Sequence, residues 1–509
     1  MSAGHPVVSA LRANGWLSLV GFAASVCSSM VLVRAMSVGL YAEYCALGAM
    51  VGLATFLFEA GANSGLTRYL REAQGCGARE RFYRRLLRGR VVAGVLCAGA
   101  LWVLGPLYGG QTGMEALQGR GWMYAGIGLV AAGTLGRLLG HYGLMALFDV
   151  RRGLMLQQGF AVGRALVAAG LAWTGFGLEA VVGCWAVLVW VEAFCVHRCF
   201  LARVAGEDGP LPEGLLGRAR VYGWMTILDK AGAMLGGGTV LLLVAAVRHE
   251  AASVAVLGLA FDLVGKCLGL TVLPMGNLVG PYLSRVGDGA EAQAEAAERV
   301  FKLSALLYAC CISAAAVLLG HLVPVVYGGR YGAAAHWAVV LLVPSAVENW
   351  MRGCASPVLL RNGRYRMLGG LNVLQVAGSV LVLALCWRGS LQTLLLGVCW
   401  VRALLALCSL VFLRDLLSRA SVGFAARAVA LGGGAWGAGH LLGGWAGFGA
   451  GMSAVLGFVG WMVVFACGGC WLLSRDRDLG AFVTRFLGDG TAWPARLFVR
   501  RDGVEQLER

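Results

Sequence analysis

Residues 79–108 read RERFYRRLLRGRVVAGVLCAGALWVLGPLY. Six arginines crowd the first twelve positions, and the eighteen that follow carry no charge. A helix that crosses the ~30 Å hydrocarbon core of a bilayer needs ~20 mostly apolar residues. Arginine gathers on the cytoplasmic flank of such helices. The segment therefore reads as a cytoplasmic basic loop entering a membrane span.

The pattern repeats in both directions along the chain. Apolar runs lie near 15–33, 40–62, 91–108, 122–147, 158–178, 179–197, 222–247, 251–277, 303–327, 333–358, 367–387, 389–413, 427–446 and 450–473. The expected fold is an all-α polytopic membrane protein of about fourteen transmembrane helices. Composition agrees, with 59% hydrophobic and only 13% charged residues and a mean hydropathy of +0.74. A soluble chain of 509 residues needs far more polar surface.

Placing the N-terminus inside puts the dense arginine groups at 68–90, 151–152, 198–220, 361–366 and 414–427, and those of the tail, on one side. Only Arg34, Arg120, Arg248, Arg330 and Arg388 fall in outside turns. Both termini are then expected in the cytoplasm. The formal charge of +16 reads as topology plus attraction to anionic lipid, with no nucleic-acid partner implied. Phe82, Leu86 and Leu87 among the arginines of loop 63–90 suggest an amphipathic helix on the membrane surface. No cleaved leader is expected, since the first apolar run is about span length and lacks a small-residue cleavage site.

No loop is long enough for a soluble catalytic domain. There is no P-loop, no HExxH and no Ser-His-Asp order, so no catalytic residue is assigned. The seven histidines are scattered, and no metal or other cofactor is implied. The sixteen cysteines lie mostly inside spans, which argues against a disulfide framework. Cys467 and Cys470, though spaced CxxC, read as packing residues of an apolar helix. The glycines, Gly236–Gly238 and Gly432–Gly434 among them, suit close helix approach.

Span 3 ends in Gly105-Pro106-Leu107-Tyr108-Gly109-Gly110 and span 9 in Val323-Pro324-Val325-Val326-Tyr327-Gly328-Gly329. This internal echo suggests two parallel six-helix lobes with a substrate site near the midplane. The expected organisation is a first lobe at 1–201, a cytoplasmic loop at 202–221, a second lobe at 222–420, two further spans within 421–473, and a cytoplasmic tail at 474–509.

Several stretches carry a family likeness. Val33 to Tyr44 (VRAMSVGLYAEY), Phe58 to Tyr69 (FEAGANSGLTRY), Pro281-Tyr282-Leu283-Ser284, Val326 to Ala334 (VYGGRYGAA) and Arg361 to Arg366 (RNGRYR) resemble the Wzx-type polysaccharide flippases in order and spacing. Ala42-Glu43 departs from that pattern, where a glycine commonly accompanies the tyrosine. The resemblance covers roughly 10–420, and the last two spans match only in number and position. It implies the multidrug/oligosaccharidyl-lipid/polysaccharide exporter superfamily. It also implies export of a polyprenyl-pyrophosphate-linked glycan across the bacterial inner membrane, for cell-surface polymers such as lipopolysaccharide or exopolysaccharide. A polysaccharide polymerase and glycosyltransferases would then be partners, alongside membrane lipids.

Charges inside the spans test that implication, because each costs ~2.5–3.5 kcal/mol near the bilayer centre on insertion scales. Of only three lysines, Lys230 and Lys266 are intramembrane, as are Arg137, Arg164, Arg352 and Arg402. Asp262/Lys266 and Glu348/Arg352 are spaced i,i+4 and share helix faces. Asp229 precedes Lys230 and points ~100° away. Glu192 is a partner for Arg164 or Arg137 on neighbouring helices. Two readings stand: structural pairs, with Arg164 snorkelling to the inner surface, or a cationic cavity of Lys230, Lys266, Arg137, Arg402 and Arg352 that holds a diphosphate. Asp229, Asp262 and Glu348 are candidates for coupling a proton or sodium ion. Glu59 is read first as a surface or hinge residue, with ion contact as its alternative. Alternating access is the expected mechanism. Spans 13 and 14, rich in Gly and Trp, either give a lipid tail a groove or pack at the periphery. A cation-coupled drug antiporter of the same superfamily is the second functional reading, and a membrane glycan polymerase or acyltransferase the third.

Overall fold

The computed structural model describes residues 5–59, 61–112, 121–147, 149–235, 237–248, 251–285, 290–362, 364–445, 450–476 and 479–480. Some side chains within these ranges, including those of Asp229 and Lys230, lie outside the described set. The described chain is helical throughout, joined by short turns. Every predicted span lies in a helix or a helix pair. In order these are α1 (His5–Ala35), α2 (Val38–Glu59), α3 (Ala62–Gly75), α4 (Arg79–Gln111), α5 (Gly121–Ala146), α6 (Val150–Trp173), α7 (Leu178–Arg203), α8 (Leu215–Leu235) and α9 (Gly238–Arg248). They continue with α10 (Ala251–Arg285), α11 (Ala290–Tyr327), α12 (Gly332–Arg361), α13 (Tyr365–Cys386), α14 (Leu391–Leu407), α15 (Ser409–Leu413), α16 (Arg419–Trp445) and α17 (Ala450–Arg475).

Among the described residues, ten helices are long and apolar enough to cross a membrane, and two shorter apolar helices, Val20–Ala35 and Gly238–Arg248, accompany them. α12 and α16 are long but less apolar, α12 because it carries Glu348 and Arg352, α16 because it is rich in glycine. α4 presents Val91, Val92, Val95, Leu96, Trp102 and Val103 outward. On a soluble protein so large an apolar face would be a liability; here it is the surface lipid covers.

Two expectations are revised. The basic stretch 79–90 is not a separate surface helix. It forms the first three turns of α4, and Phe82 and Tyr83 are fully buried. The amphipathic helix of this loop is α3, set off from α2 by Gly61 at φ +66°. Span 7 is divided between α8, which ends at Leu235, and α9, which begins at Gly238, beside a glycine run, the residue type with most backbone freedom.

The chain divides into two compact units: Met1–Asp262 with Gly369–Arg402, and Leu263–Leu368 with Ala403–Arg509. In the first, α1 packs on α6, α4 and α7 on α5, α9 on α2, and α3 on α8. Leu66, Leu70, Phe82, Tyr83, Leu139 and Phe200 form a core around the head of α4, with the Tyr83 and Phe200 rings stacked at 3.9 Å. Outside it, the turn after α7 docks on α4 through Arg79–Glu207, Arg81–Asp208 at 3.0 Å and Gly209 N to Gly77 O at 2.8 Å. In the second unit, α11 packs against α12, α16 and α17. Gly439 and Gly457 let α16 and α17 meet backbone to backbone. Trp461 of α17 points inward and donates to Ser313 Oγ at 2.7 Å, while Trp436 and Trp471 stay exposed.

A candidate site around a buried carboxylate

The site begins with a seam. On α5, Gly126, Gly133 and Gly140 are seven residues apart; on α7, so are Val182, Val189 and Val196. Each glycine faces its valine: a Cβ added at Gly126, Gly133 or Gly140 would stand 3.0, 2.7 or 2.5 Å from a valine methyl. A seven-residue repeat keeps the same faces in contact over several turns, and the missing Cβ atoms allow the backbones to approach closely. Side chains beside the seam are thereby forced together in the interior.

Those side chains are polar. Glu192, three residues after Val189, is completely buried and lies ~21 Å along α7 from Leu178. Arg137 and His141 are i,i+4 on α5 and reach it together. Arg137 Nη1 donates to Oε1 at 3.1 Å and Oε2 at 3.3 Å; His141 Nε2 lies 2.9 Å from Oε1. From α6, Arg164 Nη1 donates to Oε2. The arginine side chains keep 19% and 15% of their surface exposed, against 4% for His141. A carboxylate only accepts, so His141 carries a proton on Nε2, and in the neutral ring its Nδ1 is a lone-pair acceptor. That Nδ1 is buried without a hydrogen-bond partner, and so is Arg137 Nε. Two guanidinium ions thus share one carboxylate, with donors unspent and one net positive charge.

The predicted intramembrane charges fall in different places. Glu192 takes both of its candidate partners at once. Arg164 is half-buried in that cluster, directed at Glu192, and does not snorkel outward. Glu348 and Arg352 form the expected i,i+4 ion pair on α12, with Nε 3.0 Å from Oε1. Arg402 is buried on α14. Asp262 and Lys266 are half-buried one turn apart on α10; Asp262 acts electrostatically on Tyr41, Tyr44 and Cys45 of α2, while Gly258 packs against Cys45. Asp229 and Lys230 are on α8, with side chains outside the described residues. Glu59 is buried at the end of α2, within electrostatic reach of Arg90 and Tyr142.

Arg90 and the histidines are what the sequence reading missed. Arg90, counted only as a loop charge, is buried. It donates to Asn63 Oδ1 at 2.9 Å and to Phe58 O at 3.4 Å, so it ties down the end of α2 at the Gly61 bend. Its place next to Val91-Val92, as the last arginine before the apolar run, was the available signal. His141 and His197 looked scattered. Yet His141 follows Arg137 by one turn, and His197 lies over Gly136 and Gly140, hydrogen-bonded to Tyr83. The two interleaved seven-residue strings would have found both. Among the described residues, no set of three or more His, Cys, Asp or Glu is placed to hold a metal ion.

No family model and no curated protein matches the chain. Solved structures do. The lipid II flippase MurJ, in an inward closed conformation, superposes with a TM-score of 0.66 at 8% identity, over 89% of this chain and 98% of its own. A mutant of the MATE transporter VcmN of Vibrio cholerae gives 0.54 at 13% identity, over 81% and 98%. An outward-facing multidrug resistance MATE family transporter of the MOP superfamily gives 0.53 at 11%, over 80% and 95%. At such identities the likeness is one of fold. The chain is a multi-pass, all-α membrane protein with the fold these transporters share.

Proposed function

We propose that this protein is a transporter that moves a glycan carried on polyprenyl pyrophosphate across the bacterial inner membrane by alternating access. The observation that carries the reading is the Glu192 cluster, in which two partly buried arginines share one fully buried carboxylate. Such a site suits an anionic cargo, because guanidinium forks hold phosphate oxygens bidentately. Lys230, Lys266, Arg402 and Arg352 complete the proposed cationic set. Asp229, Asp262, Glu348 and Glu59 are proposed for ion coupling or charge pairing. The termini are placed in the cytoplasm by the arginine bias, and a polymerase and glycosyltransferases are the expected partners.

One observation favours a second reading. Tyr41 and Tyr44 stack at 6.2 Å, Tyr44 meets Trp185 at 6.5 Å, and Asp262 lies near both tyrosines. Aromatic faces beside a carboxylate suit an organic cation, as a drug antiporter needs. Reconstituted vesicles separate the two. Flipping of a fluorescent polyprenyl-pyrophosphate-linked sugar is expected from the wild type and is expected to collapse in Lys230→Ala, Lys266→Ala and Arg137→Ala proteins of matched fold. Efflux of a cationic dye without lipid flipping would establish the antiporter instead. Flipping unaffected by all three substitutions would keep the transporter and discard the cationic set.

A further inference from the structure

The Glu192 cluster holds more than a structural ion pair needs. Its two arginines bring two positive charges to one negative, and His141 presents an unpartnered, buried Nδ1 on the side away from Glu192. A diphosphate linked at both ends carries about two negative charges, which match two arginines but not two arginines less a carboxylate. We propose that Glu192 is an exchangeable counter-anion: a proton delivered through His141 releases Arg137 and Arg164 to clasp a diphosphate. The assignment rests on the proposed diphosphate-bearing cargo and adds the group that couples its binding to a proton.

The transfer balances. Nδ1 of His141 accepts a proton while its Nε2–H proton passes to Oε1 of Glu192. His141 ends neutral with its proton on Nδ1, and Glu192 ends as a neutral acid. The site gains one positive charge, and only N–H and O–H bonds change. Departure of the diphosphate runs the exchange backwards, when the carboxylate takes the arginines again. Proton and dianion are therefore held together or not at all. The charged and titratable groups facing Glu192 from the packed helices are Arg137 and His141 of α5 and Arg164 of α6; His197, on α7 itself, lies one turn on and is engaged by Tyr83 of α4. None of these besides Glu192 is an anion near neutral pH, so the proton that changes the clasp belongs on its carboxylate.

The experiment is calorimetric titration of the full-length protein in lipid nanodiscs with dimethyl pyrophosphate, a diphosphate diester that does not titrate near neutrality. Two buffers of different ionisation heat report proton uptake. The wild type is expected to take up close to one proton per diester bound, and Glu192→Gln none, with at least about tenfold tighter binding at high pH. Arg137→Gln and Arg164→Gln are each expected to lose about tenfold. His141→Gln should slow the proton exchange without removing its stoichiometry. Binding by the wild type without proton uptake overturns the proposal, as does Glu192→Gln binding no more tightly than wild type. Should Glu192→Gln fail to fold, Glu192→Asp, which keeps the proton, and the wild-type stoichiometry still decide. A short-chain prenyl pyrophosphate-linked sugar forms the second arm. Equal affinity for both probes assigns the site to the bare diphosphate, and proton-linked binding of the prenyl probe alone assigns it to a lipid-borne one. If neither binds to wild type or Glu192→Gln, there is no such site. Proton-linked binding in a protein that does not flip lipid-linked glycan would keep Glu192 and discard the cargo, whereas flipping without proton linkage would do the reverse.

Discussion

Replacing Glu192 by leucine should be far more damaging than replacing the whole ionic cluster. Glu192 has no exposed surface, and three side chains from α5 and α6 end on it. Leucine leaves two guanidinium ions four-fifths buried or more with no counter-charge. Breaking a buried pair by removing one partner costs about 3–5 kcal/mol. The hydrogen bond from His141 adds about 1 kcal/mol. Glu192→Gln keeps an acceptor and loses only the charge, so about 1–3 kcal/mol is expected. The triple variant Glu192→Leu, Arg137→Met, Arg164→Met removes charge and counter-charge together, and buried ionic clusters replaced by well-packed apolar groups are often neutral or more stable. The order expected is triple variant at or near wild type, then Glu192→Gln, then Glu192→Leu. Equilibrium unfolding of the purified protein in mixed micelles, followed by loss of helix and by fluorescence of the sixteen tryptophans, measures it. A Glu192→Leu protein as stable as wild type would refute the reasoning, because the arginines would then have found water or lipid phosphate. So would a triple variant less stable than the single one.

The α5–α7 seam predicts that Gly133→Leu and Gly140→Leu separate the helices that hold the cluster, costing about 1–3 kcal/mol each by overpacking, while leucine at Gly163, which has nothing within 4 Å of its Cβ position, is tolerated; the same unfolding assay compares them. Gly61 sits at φ +66° against the backbone of Gly223, so Gly61→Ala should lose both conformation and contact, and protease sensitivity of the 63–78 region should rise. Glu207 is held below its ordinary carboxyl value of 4.5 chiefly by the hydrogen bond from Arg79, with their charge attraction assisting and burial opposing. A depressed acid adds stability above its unfolded value and loses it as pH falls through the folded one. Protection from hydrogen exchange at Gly209 and Glu80, whose amides bond across this junction, should therefore fall as the pH drops through the lowered Glu207 value in the wild type but show no such step in Glu207→Gln. Finally, Cys76 is exposed; in a protein keeping only that cysteine, a membrane-impermeant maleimide should label inside-out vesicles and not intact cells, and labelling of intact cells would invert the proposed topology.

The fold was legible because a bilayer imposes length. Residues 91–108 have no other use for eighteen uncharged positions, and the same holds, less cleanly, for each later run. Where composition weakened that signal, the boundaries moved. Span 7, continuous by hydropathy alone, is divided between α8 and α9 beside a glycine run. The arginines of 79–90 concealed the start of a helix, because charge marked the loop while Phe82 and Tyr83, the residues that anchor it, counted only as two apolar positions. The site was half legible. Glu192 needed a cation, and the chain offered Arg137 and Arg164; that inference requires only that an unpaired charge at this depth is costly. That both would bind one carboxylate, with His141 as its third partner, depends on the rotation of α5 against α7, which hydropathy does not report.

That rotation is nonetheless written in the chain. Gly126, Gly133 and Gly140 repeat at seven, and so do Val182, Val189 and Val196. In water such a pattern would be judged poor, since glycine weakens a helix by about 1 kcal/mol relative to alanine. In lipid the comparison changes, because association depends on close contact and on polar groups finding each other, without a hydrophobic drive between helices. A glycine seam supplies the contact, and the polar residues beside it, Arg137 and His141 on one helix and Glu192 on the other, supply the bonds. Each needs the other. Without the glycines the carboxylate would sit too far from α5 to be paired, and without the pairing three ionisable side chains would stand unsatisfied at membrane depth. The seam and the cluster are therefore one device, and bulk at Gly140 should displace the same arginines that loss of Glu192 sets free.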